Sequence, residues 1–145
     1  SYARISYARE LVGDRQGAIK VMRMALEATS PNDVESLAWH QAQLGDLQLG
    51  AGRIDDASRE FDHAAFLFPD YPLALEGQAR AAYLRGQHAA ALAFLNPLLS
   101  GTPSSSALAL SVEVLRALGR PEEAARNQVL AEAARALERP AVPAR

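Results

Sequence analysis

The chain has 145 residues, a formal charge of −2 and 49% apolar residues, enough for one domain with a core and too apolar for wholesale disorder. Alanine and leucine supply most of that apolar share, only 6% of residues are aromatic and there is no cysteine. This composition favours helices over strands and excludes a disulfide framework, a thiolate zinc site and a thiol nucleophile. The small net charge gives no global reason to bind nucleic acid, and no run approaches the roughly 20 apolar residues of a membrane span.

Along the chain, the apolar periodicity predicts a first helix over 2–12 and a second over 15–29, divided at Gly13. A longer helix is expected over 33–51, with residues 33–37 as an extra opening turn. Helix 54–68 follows after Gly52. The pattern then gives 73–85, Gly86, 88–99 and 105–118. Gly119 precedes a last helix over 121–138, which Pro121 opens at a position needing no donor, with Glu122 and Glu123 suited to the helix dipole. Pro97 should shorten or bend the end of helix 88–99, and residues 139–145, with two prolines, read as a flexible tail.

These elements repeat. Gly13, Gly52, Gly86 and Gly119 are spaced 39, 34 and 33 residues apart. Five residues after each stands an alanine: Ala18, Ala57, Ala91 and Ala124. Nine residues after come Met22, Phe61, Leu95 and Gln128; twelve after come Ala25, Ala64, Leu98 and Ala131. Seven residues before stand Ser6, Gly45, Ala79 and Val112. Small residues at recurring positions are what two closely crossing helices require, and the glycine supplies the positive φ that ends the first of them. Such a unit cannot bury its face alone, so neighbours must stack into one core.

The segment Leu44-Gly45, Gly52, Ala57, Phe61, Ala64 and Pro69 resembles the tetratricopeptide repeat, a helix-turn-helix unit of 34 residues. Ala79, Gly86, Ala91, Leu95 and Pro103 keep the same register one unit later. The resemblance covers nearly the whole chain as about four tandem units, 1–32, 33–71, 72–105 and 106–138. It implies an all-α superhelix of about eight antiparallel helices. The outer units depart most from the pattern, as terminal repeats do; Gln128 stands where an apolar residue is usual.

Catalytic chemistry finds no support in the sequence. His40, His63 and His88 share no helix face, so a metal would need ligands assembled between helices, and rim histidines are the simpler reading. Gly50-Ala51-Gly52 ends a helix and follows no strand; Asp55-Asp56 and Glu122-Glu123 open helices. No phosphate loop, nucleophile elbow or zincin helix is present. The expectation is therefore no enzyme and no cofactor.

The resemblance also implies that first helices line a concave face meeting a protein or peptide partner. Carried onto this chain, that face comprises Ala3, Tyr7 and Glu10; Trp39, Ala42, Asp46 and Leu49; Leu73, Glu76, Arg80 and Tyr83; and Ser106, Ala109, Glu113 and Arg116. Trp39, Tyr7 and Tyr83 are anchor types and arginine can grip a carboxylate, while Trp39 and Tyr83 could equally be packing residues and Glu76/Arg80 a surface ion pair. The lysines and asparagines with which related modules hold a chaperone's terminal carboxylate are absent. A protein-binding scaffold is the leading expectation. The alternative is a structural helical segment of a larger protein, self-associating through an apolar end that includes Tyr2, Ile5 and Leu11. The start at Ser1, without methionine or a capping segment, reads as a piece of a longer repeat protein or a processed chain. Arginine in lysine's place, with Lys20 the one lysine, reads as the imprint of a GC-rich genome, and a bacterial cytoplasm is the default setting, a processed periplasmic protein the other.

Overall fold

Periodic apolar and small residues, punctuated by glycine, fold into eight helices among residues 1–139, the part described by this computed structural model. They are α1 (Tyr2–Leu11), α2 (Arg15–Ala28), α3 (Val34–Gly50), α4 (Ile54–Leu67), α5 (Pro72–Leu84), α6 (His88–Leu99), α7 (Ser105–Ala117) and α8 (Pro121–Glu138). Of the expected tail, Arg139 leaves α8 in extended backbone, and residues 140–145 lie outside the described residues.

Each first helix ends one residue earlier than the sequence pattern predicts. Val12, Ala51, Arg85 and Leu118 have ψ close to zero, so they flank the helix instead of continuing it. The following glycine then takes a φ of 84°, 78°, 76° or 72°. The residue beyond it donates its N–H to the carbonyl five residues back at 2.8–2.9 Å (Asp14 to Arg9, Arg53 to Gln48, Gln87 to Ala82, Arg120 to Leu115). This is the same C-terminal motif four times, and it turns the chain sharply into the second helix. Helix α5 starts one residue earlier than predicted because Pro72 fits the first helical position. Helix α6 continues two residues past Pro97. The extra turn expected at 33–37 opens α3, where the Asp33 carboxylate accepts from the Ser36 N–H at 3.1 Å.

Helices pair as α1/α2, α3/α4, α5/α6 and α7/α8, and α2, α4 and α6 each pack on the next first helix. First helices also touch one another, α3 with α5 and α5 with α7, whereas no second helix packs comparably on another. The first helices therefore crowd the inner side of a curved array, and the whole is an α-α superhelix.

The recurring small residues make the crossings. Ala18, Ala57, Ala91 and Ala124 are all buried, and the Ser6 hydroxyl donates to the Ala18 carbonyl at 2.8 Å where α1 meets α2. Between hairpins, Met22 joins Ile19, Leu44 and Leu47 in one core. Leu95 fills the last junction with Ala107, Leu110 and Val114. Phe61, fully buried, sits between two glycines: a Cβ on Gly45 would lie 2.7 Å from its ring, and one on Gly77 would overlap it outright. Gln128, at the position of Phe61 in the last hairpin, is half-buried and donates to Glu132 at 3.0 Å, a polar finish on the final helix.

Candidate functional site: the inner face of the first helices

Residues three, four and seven apart fall on one side of a helix, so each first helix presents a short column to the inner side of the array. From α1 come Tyr7 and Glu10; from α3, Trp39, Asp46 and Leu49. From α5 come Glu76, Arg80 and Tyr83, and from α7, Glu113 and Arg116. These ten sequence-derived candidates do not form one uniform surface.

At the first junction, α1 and α3 do not pack on each other as α3 and α5 do. The register that is Gly77 on α5 is Gln43 on α3. A cleft of about 300 Å³ lies here, walled by Tyr7, Trp39, Glu10 and Gln43 over Ala3 and Leu47. Tyr7 is 61% exposed and Trp39 37%, so both rings remain accessible. The Trp39 ring stands edge-on to His40 at 5.1 Å, which holds it from behind; His40 Nδ1 lies 3.3 Å from the Thr29 hydroxyl.

Further along, two candidates are drawn into the interior. Leu49 is half-buried against the core around Phe61, and Tyr83 packs on the core around Leu95 with its ring 5.4 Å from that of His88. Both occupy the place three residues before the turning glycine. There Glu10 and Arg116, being charged, stay exposed, while Leu49 and Tyr83 follow their apolar surface inward.

Glu76 has a side chain only 14% exposed, and it is well partnered. Its carboxylate accepts from Ser106 at 2.8 Å and Ser104 at 3.1 Å, and Arg80 lies 3.6 Å away. This network ties α5 to the start of α7. Glu113 and Arg116 form an exposed pair at 3.8 Å. The sequence reading missed Gln43 and Ser104. Gln43 lies one turn from Trp39 on the same face, and Ser104 caps α7 by accepting from the Ala107 N–H at 3.2 Å.

Asp46 stands out electrostatically. Desolvation by neighbouring atoms pushes the carboxyl of this exposed residue from 3.8 up to about 6; Glu76 and Glu10 push the same way, and Arg80 opposes them. Water still reaches this side chain, so the cause is crowding in a recess, not enclosure. Between pH 4 and 6, on the order of those two values, the folded chain holds a proton that the unfolded chain has lost. This group's contribution to stability is therefore complete below the lower value and falls away as pH rises through the upper. Asp46→Asn is expected to be more stable than the parent at pH 7.5 and equal to it near pH 4. Urea unfolding at both pH values checks this: an unchanged difference across that range would contradict it.

Among the described residues no three His, Asp or Glu side chains gather as a metal site would require, and no helix is long and apolar enough to cross a membrane.

No family profile matches the chain, and no curated protein matches it significantly. Solved structures do match it. A crystal structure of MamA is 22% identical with a TM-score of 0.65, over 85% of this chain and 70% of that one. A crystal structure described as MamA protein is 20% identical with a TM-score of 0.55, over 98% and 96% of the two chains. At such identities the likeness establishes a shared helical-repeat fold.

Proposed function

We propose that the chain is an array of four tetratricopeptide-type units, 1–32, 33–71, 72–105 and 106–138, acting as a non-catalytic scaffold. A peptide or helix of a partner protein binds along its inner face. One observation carries this reading: the first helices alone crowd the inner side, and there they expose Trp39 and Tyr7 beside a cleft, with carboxylates and Arg80 around them. Large aromatic rings left accessible in a recess are the usual anchors of an interface. The absence of catalysis, a cytoplasmic or processed periplasmic setting, and partners other than nucleic acid belong to the same reading.

Selection of twelve-residue peptides from a random displayed library against the intact chain tests it. Trp39→Ala is expected to weaken the selected peptides by about tenfold or more, with circular dichroism and melting unchanged. Arg23→Glu, on the exposed side of α2, is expected to leave binding as it was. Loss of binding with Arg23→Glu alone would contradict the proposal.

A second reading has its own observation. Tyr2, Ile5, Leu11 and Val12 are exposed on the first hairpin, as an array end awaiting a neighbour would be. On this reading the chain is a structural segment of a larger protein and self-associates there. Sedimentation would then give a mass that rises with concentration, and a constant monomer mass would dismiss it.

A further inference from the structure

We infer that the cleft between α1 and α3 receives a basic side chain of the bound segment, an arginine stacked on Trp39 and Tyr7 and facing the carboxylates of Glu10 and Asp46. This rests on the inner face being the docking surface and specifies the chemistry of its partner.

The cleft has the right walls. Tyr7 and Trp39 offer accessible aromatic faces, and Ala3, Met22 and Leu47 line the space between them. A guanidinium is planar, weakly hydrated and attracted to such faces, which suits it better than an ammonium.

The charge balance has the right sign. Glu10 and Asp46 make no side-chain hydrogen bond or ion pair among the described residues. Asp14, Asp55, Asp56, Glu76, Glu113 and Glu123 each have an arginine beside them. The charged groups facing Asp46 are Glu10 from α1 and Glu76 and Arg80 from α5, and Arg80 already lies beside Glu76. Arg4 also lines the cleft and makes no ion pair with Glu10. The cleft itself is lined by Glu10 and Arg4; with Asp46, Glu76 and Arg80 beside it, the surroundings carry one net negative charge. Crowding there already raises the proton affinity of Asp46, and a partner's cation would take the place of that proton.

Trp39 is the only tryptophan of the chain, so its emission reports occupancy of this cleft directly. The probe is the tightest peptide from the displayed-library selection, with each arginine replaced in turn by citrulline, which keeps the shape and removes the charge. One such replacement is expected to weaken binding about tenfold and remove the Trp39 emission shift. Affinity for the arginyl peptide is expected to rise from pH 5 to 7.5 and that for the citrulline peptide to stay flat. The double variant Glu10→Gln/Asp46→Asn, checked for helicity, is expected to bind both peptides alike. Equal binding of the two peptides by the parent chain, or discrimination that survives in the double variant, would overturn the cation cleft while leaving the inner-face reading intact. Failure to select any peptide would overturn the reading on which both rest.

Discussion

Phe61→Ala is expected to destabilise the chain by about 3–5 kcal/mol, the largest loss of any single substitution considered. The ring is wholly buried and is the largest side chain to be so. It touches the first helix of its own hairpin at Gly45 and that of the next at Gly77, so it joins two hairpins at once. Alanine there would lose the transfer free energy of the ring and leave a void. Collapse of that void is opposed by Ala38, Ala42, Ala57, Ala64 and Ala74, which are short and already in contact. Urea unfolding followed by circular dichroism measures the loss. A change below about 1 kcal/mol would mean that the junction does not depend on this ring.

Gly77→Ala is expected to come next, and its sign depends on two opposed magnitudes. Alanine is better than glycine within a helix by about 1 kcal/mol. Against this, the added Cβ would overlap the Phe61 ring, and over-packing of a dense interior costs about 1–3 kcal/mol. The ring cannot retreat, because Gly45 closes its other side. The overlap should therefore win, giving a clear net destabilisation. A rescue is expected. In a Phe61→Leu background the smaller side chain vacates the disputed space, so adding Gly77→Ala should do less harm than it does in the parent. A double-mutant cycle measures this coupling, and strict additivity would contradict direct contact between the two positions.

The glycine that matters most here is the one a repeat search does not see. Gly13, Gly52, Gly86 and Gly119 recur because every hairpin must turn the same way, and Ala18, Ala57, Ala91 and Ala124 recur because every pair of helices crosses at the same place. Both signals are periodic and legible. Gly77 belongs to a register occupied by Arg4, Gln43 and Leu110 in the other first helices, so no pattern flags it. Its role follows from the size of Phe61, a long-range fact that only packing reveals. Gln43 in that register lines the cleft between α1 and α3.

Helical spacing groups the candidate residues into columns on each first helix, and the resemblance supplies the side on which we propose they act. What the spacing could not supply was depth. Leu49 and Tyr83 share the register of Glu10 and Arg116, yet their apolar surfaces turn inward. Glu76 is engaged by Ser104 and Ser106 from the following hairpin, a partnership some thirty residues away in sequence. The charges that act on Asp46 likewise come from α1 (Glu10) and α5 (Glu76, Arg80), not from its own helix.

The inner face of the first helices is the docking surface we propose. Amide chemical-shift mapping of the isotope-labelled chain with a library-selected peptide tests it most directly. The expected result is a continuous set of perturbations on α1, α3 and α5 around Tyr7, Trp39, Asp46 and Arg80. Perturbations confined to the outer positions of the second helices, such as Lys20 and Arg59, would contradict it.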